Sequence, residues 1–178
     1  MKGLTRGVSR AGTLIGSLVW FVLFAAPASA ALIRTQAPCA GTTGYCKLFK
    51  AGAAIPVIRK FTFVAPARGV AQVTFHGSLY CFNNAGKDAV VDLASQIVTT
   101  TRATPSQNGP GGLRHVIIMK DSIQHSHSAA DTFNLASTRV ISLKAGSSDF
   151  FFKIQALKMD ANTGCYVYNA SFSIVFIQ

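Results

Sequence analysis

The sequence predicts an all-β chain folded as an antiparallel sandwich or barrel. Three observations carry this. From Val73 the stretch Phe61 to Asn83 alternates cleanly. Val73, Phe75, Leu79 and Cys81 fall on one face, with Gly77 in the same register, and Gln72, Thr74, His76, Ser78 and Tyr80 fall on the other. A period of two built from β-branched and aromatic residues marks a half-buried strand. Similar stretches recur about every dozen residues, separated by Gly, Pro, Asn and Ser, which is the spacing of sandwiches and barrels. No convincing helical period follows the N-terminal apolar run.

That run comes first in the chain. Lys2, Arg6 and Arg10 precede the apolar residues Leu14 to Phe24, and Ala28-Ser29-Ala30 follows. A basic end, a short apolar core and a small-x-small exit describe a secretory signal peptide, residues 1–30, cleaved after Ala30. A transmembrane anchor is not expected, because spanning needs about 20 apolar residues and Pro27 breaks the run. Cleavage removes the single tryptophan, Trp20, and three of the seventeen basic residues. Fourteen then face six Asp and no Glu, a net charge of +8. The expected location is secreted or periplasmic, and residues 31–178 are enough for one domain with a real core.

Residues 31–56 read as an irregular segment covering one end of that core. The sandwich domain takes up 57–178. Its first strand is Val57 to Val64, followed by a tight turn at Pro66–Gly69. Val70 to Phe82, at about 3.3 Å per residue, is long enough to cross a sheet. Asn83 to Lys87 is a turn. Val90 to Thr101 reads as strand despite Ala94-Ser95-Gln96 at its centre. Thr104 to Gly112 is an exposed loop, punctuated by Pro and Gly. Leu113 to Met119 is a short strand, and Asp121 to Asp131 a second polar loop. Phe133 to Leu143 alternates again, Val140 and Ser142 opposing Ile141 and Leu143. Ala145 to Ser148 turns into Phe150 to Leu157, and Asp160 to Gly164 turns into Cys165 to Ile177. On this last strand a continuous register puts Tyr166, Tyr168, Phe172, Ile174 and Phe176 on one face. Val175 and Ile177 then make its final third apolar on both sides. Such a strand is buried twice, under another subunit or under residues 31–54.

Three stretches together resemble a known superfamily. Phe63-x-x-Pro66-x-x-Gly69, Ile141-x-Leu143-x-Ala145-Gly146 and Ser171-Phe172-Ser173-Ile174-Val175-Phe176-Ile177 are similar, in order and spacing, to stretches of the complement globular heads and tumour-necrosis-factor-like ligands. The likeness covers about residues 61–178. It departs at Ala71, Ser147 and Ile174, where those proteins favour an aromatic, Asp and Gly. The resemblance implies a jelly roll that trimerises and acts by binding rather than catalysis.

All four cysteines, Cys39, Cys46, Cys81 and Cys165, survive cleavage. An even count in an exported chain points to two disulfides. Cys39 and Cys46 flank a turn-rich loop, which leaves Cys81 for Cys165. The continuous register works against that second bridge: Cys81 points inward, while Cys165 shares the register of Asn169 and Ser171. A bulge between them would reconcile the two. Zinc is disfavoured, since no C-x-x-C pair is present.

Functional signals are sparse. His125-x-His127 places two imidazoles on one side of an extended segment, a candidate metal site that His115, Asp121 or Asp131 would complete. Asp160-x-Asn162-x-Gly164 opens like a calcium loop, but Ser171 stands where the closing bidentate acid belongs, so a plain turn is expected. No G-x-S-x-G elbow and no placed carboxylate pair is present, so no enzyme and no cofactor is expected. Asn169-Ala170-Ser171 matches the glycosylation pattern inside a strand and is read as coincidence. The basic surplus suits anionic partners such as an acidic glycan or glycolipid, and no nucleic-acid module is present. The expected function is an exported, self-associating binding or structural module, with loops Ser106–Gly112 and Gln124–Asp131 as its binding surface. The alternatives are a small outer-membrane β-barrel and a secreted hydrolase on the same fold.

Overall fold

The computed structural model describes residues 31–39, 45–54, 56–120 and 130–178, with Ala130 and Asp131 described by backbone alone. Residues 1–30 and the His125-x-His127 pair lie outside these. Nine strands follow in chain order: β1 (Ala31–Thr35), β2 (Lys47–Lys50), β3 (Val57–Ala65), β4 (Gly69–Asn83), β5 (Ala89–Val98), β6 (Leu113–Met119), β7 (Ala130–Leu143), β8 (Gly146–Met159) and β9 (Thr163–Ile177). Every pairing is antiparallel. A front sheet has the order β1-β9-β4-β7, with β2 also paired to β9. A back sheet has the order β3-β8-β5-β6. From β2 onward every connection except β5 to β6 changes sheet, which is the winding of a jelly roll.

Alternation decides what meets between the sheets. Val73, Phe75, Leu79 and Cys81 of β4 are fully buried, as the period of two requires. Phe75 stacks on Phe152 of the back sheet with centroids 3.6 Å apart, and Phe172 meets Phe75 edge-on at 5.3 Å. Phe63 and Phe176 pack at 5.5 Å. Large rings in paired contact contribute most of the burial energy of such a core. The interior is apolar and both sheets keep open edges. An outer-membrane barrel is closed and polar inside, so that alternative is set aside. No helix among the described residues is long and apolar enough to cross a membrane.

Two expectations are corrected. Residues 31–56 are not irregular throughout, because β1 and β2 add to the edge of β9. ALIRT and KLFK are too short to stand out alone and take strand form from their partner. Nor does β9 keep one register. Asn169 has φ 50°, and the β4–β9 pairing shifts between His76 and Ser78. This bulge turns the strand over: Cys165 and Val167 point inward before it, and Ala170, Phe172, Ile174 and Phe176 after it. Tyr166 and Tyr168 therefore face out, not in with Phe172. Asn tolerates the left-handed backbone better than most residues.

The same bulge brings Cys165 opposite Cys81, and the two are bonded with Cα atoms 4.0 Å apart. Cys39 and Cys46 form the second bridge. Two disulfides suit an oxidising, extracellular-type compartment.

Candidate functional site

The outward residues of the front sheet form bands across its strands. At one end Ile33, Val175, Gln72 and Val140 lie side by side on β1, β9, β4 and β7, beside a row of Ala31, Ile177 and Val70. Ile33, Val140 and Ile177 are 60%, 65% and 48% exposed. A hydroxyl band follows, with Thr35, Ser173, Thr74 and Thr138 in register. The bulge then opens a depression of about 360 Å³ lined by His76, Ser78, Asn134 and Asn169. At the far end lies an aromatic band. Tyr166 is 4.8 Å from Tyr45, 5.4 Å from Phe82, 6.0 Å from Tyr168 and 6.2 Å from Tyr80, centroid to centroid. Every tyrosine of the chain is in this cluster. Burial, then the neighbouring Tyr166, Tyr80 and Tyr45, push the Tyr168 phenol up.

Beyond Phe82 the face ends in a cleft of about 510 Å³, lined by Lys50, Ala51, Phe82, Asn84, Asn162 and Thr163. The tip of the Phe82 ring packs against β9 at Gly164, which has no Cβ to hold it away. Along β1, β4, β7 and β9, His76 is the one histidine among the described residues facing out.

The back sheet's outer face is built otherwise. Lys60–Asp149 (2.7 Å), Arg114–Asp92 (2.6 Å), Lys120–Asp88 (2.9 Å) and Lys158–Asp160 (3.8 Å) stud it and its rim. The Arg114 hydrogen bond holds the Asp92 carboxyl below its usual range, and Lys60 with Thr62 does the same for Asp149.

The loop at Ser106–Gly112, expected as a binding surface, keeps Ser106, Asn108 and Pro110 exposed and is tied down from beneath. Gln96 accepts from Ser106 N at 3.0 Å and donates to Pro110 O at 3.1 Å. Ser137 Oγ of the other sheet donates to Gly111 O at 2.6 Å. Just upstream, Lys153, only 5% exposed, donates to Thr101 O and Ala103 O, each at 2.7 Å. Outward polar groups on β5 and β8 need partners once covered, and this segment provides them. Composition marked it as a loop but could not show that buried side chains tie it down. Of the second loop, 121–129 lies outside the described residues.

The remaining candidates separate. His115 points into the sandwich edge, where its Nε2 is 3.0 Å from Ser95 Oγ, and burial pushes its pKa down. Ser95 is fully buried, so the pair is a core hydrogen bond rather than a presented nucleophile. Asp160 accepts from Val90 N at 2.7 Å, and its carbonyl accepts from Thr163 Oγ1 at 2.6 Å, which makes its segment a self-satisfied turn. No metal-holding cluster of three is present among the described residues. The aromatic band escaped the sequence reading. Its signal was there: Tyr80-x-Phe82 and Tyr166-x-Tyr168 flank the bonded Cys81 and Cys165, so that pairing alone puts Tyr80 opposite Tyr166.

Fold and faces together define a two-sheet antiparallel β-sandwich of jelly-roll order. The sequence matches no protein-family model and no curated protein. Among solved structures it is similar to the infectious bursal disease virus VP2 subviral particle, with 9% identity over 83% of this chain and 37% of that one and a TM-score of 0.21. A structure of the Gx strain of that virus gives 11% identity over 83% and 41%, with a TM-score of 0.22. The chain thus spans 37–41% of the viral chains it matches. Scores this low carry no argument about function.

Proposed function

We propose that this protein is an exported, non-catalytic β-sandwich module that self-associates through the apolar end of its front sheet and offers a basic surface to anionic ligands. One observation carries the reading: among the described residues, the outward positions of β1, β4, β7 and β9 hold no Lys, Arg, Asp or Glu, in a chain whose net charge is strongly positive. Depletion of charge, not bulk hydrophobicity, distinguishes the core of a protein–protein interface. Val175 and Ile177 lie in the middle of the apolar rows. Among the described residues, 31–35 run along the edge of β9 instead of over Val175 and Ile177. The occupant is a second copy of the same chain. The sequence resemblance to complement-head and tumour-necrosis-factor-like jelly rolls supports the reading, and three is the copy number that resemblance implies.

Sedimentation of residues 31–178, with Val175→Asp and Ile177→Asp variants, tests this. The wild type is expected at trimer mass and both variants at monomer mass. A wild type that stays monomeric at high concentration sinks the association. Hydrolysis of an ester or glycan that disappears on changing His125 or His127 sinks the non-catalytic half and restores the hydrolase alternative.

A further inference from the structure

We propose that the cleft at the aromatic end of the front sheet binds an acidic oligosaccharide, a sugar chain carrying uronate carboxylates. The inference rests on the anionic-ligand part of the reading above and assigns it a place and a chemistry.

Three features of the cleft converge. The first is a platform. The tip of the Phe82 ring rests against Gly164, and a Cβ on that glycine would run into it. The same ring lines the cleft. A pyranose has an apolar C–H face and a rim of hydroxyls, and a fixed, half-buried ring suits the apolar face with little ordering cost. Tyr166 and then Tyr45 continue the line of rings at 5.4 and 4.8 Å. The second is charge. Among the described residues Lys50 is the charged side chain that lines the cleft, so a carboxylate arriving there meets a cation. The third is a pair of amides, which donate and accept as sugar hydroxyls require. Asn84 and Asn162 are fixed to one another through Asn84 N and Asn162 O at 3.0 Å, and Asn162 is held at φ 61°.

A single cation beside an aromatic floor fits a carboxylated sugar better than a phosphate, which favours several donors or an Arg fork. The cleft and the apolar rows occupy opposite ends of β4. From Val70 to Phe82 is about 40 Å at the usual strand rise, so association of copies at one end leaves the other open.

The test uses tetragalacturonate and its methyl ester, which keeps the shape and removes the charge. Both are titrated into isotopically labelled wild type, Lys50→Gln and Phe82→Leu, following the Asn84 and Asn162 side-chain amides. Tetragalacturonate is expected to shift both amides in the wild type. Lys50→Gln is expected to weaken the acid about tenfold or more and leave the ester unchanged, and Phe82→Leu to weaken both. Lys50 is exposed, so its variant stays informative even if Phe82→Leu fails to fold. Amides unmoved at about 10 mM tetragalacturonate, or a Lys50→Gln variant that binds the acid like wild type, overturns the proposal. A heparin column separates this from the broader reading. Salt-sensitive retention of wild type and Lys50→Gln alike, with no tetragalacturonate shift, leaves the basic surface standing and the cleft refuted. No retention of either, with no tetragalacturonate shift, refutes both.

Discussion

The two outer faces of this sandwich differ in charge, not in apolar exposure. The back sheet exposes Val64, Val116 and Ile118 at 65%, 54% and 65%, as much as Ile33, Val140 and Ile177 expose on the front. On the back those side chains are set among four ion pairs. On the front they sit beside hydroxyls, amides and phenols. An exposed Ile among charges is ordinary surface. The same Ile among uncharged neighbours is a surface that loses little when water leaves it. What separates a solvent face from an interface is therefore the neighbours of the apolar residue, not its own exposure.

The faces are also held by different chemistry. The strongest way to break the comparison is at the front, where Cys81–Cys165 pins β4 to β9 across a sequence separation of 84 residues. A Cys81→Ala, Cys165→Ala double variant is expected to lose about 4–5 kcal/mol in the chain-entropy model, less if the bonded state is strained. A denaturant titration measures it, and a loss below about 1 kcal/mol would show that the β4–β9 ladder needs no pin. At the back the corresponding hold is Lys153. Lys153→Met leaves Thr101 O and Ala103 O without their donor and is expected to cost about 2 kcal/mol. Hydrogen exchange of the Thr99–Gly112 segment should rise in that variant while β4 and β9 keep their protection. Uniform exchange across both sheets would mean that the bracket is not a local unit.

The smallest effect sharpens the contrast. Asp92 and Asp149 have pKa values held down by their partners. Their contribution is present above the ordinary carboxylate value of about 3.9 and is lost as pH falls through the lower folded values. Titration from pH 5 to about 2 should loosen β3 and β6 before β4 and β9. Asp92→Asn should remove part of that slope and little else, since exposed pairs contribute little at neutral pH. An acid transition that starts on the front sheet would reverse the assignment.

Several elements were legible because they rest on local pattern. Alternation in β4 fixed which residues are buried, and Leu113 to Met119 was bounded as β6 at both ends. Turn chemistry placed Asn83–Lys87 and Asp160–Gly164. Where neighbours supply the conformation, the sequence was silent. ALIRT and KLFK become strands only because β9 offers an unpaired edge. Ser106–Gly112 looked like a free loop because Gln96, Ser137 and Lys153, which hold it and its approach, are distant in the chain or read as strand interior.

The bulge at Asn169 shows where that boundary lies. By itself the sequence determined the β class, the inward face of β4, the even cysteine count and the basic surplus, all set by composition and a period of two. Only the tertiary structure decided the register across Asn169, because one extra residue reverses every side chain beyond it, and its place depends on what β4 presents opposite. That single shift aligned Cys165 with Cys81, turned Tyr166 and Tyr168 outward to meet Tyr45, Tyr80 and Phe82, and kept Phe172 in the core.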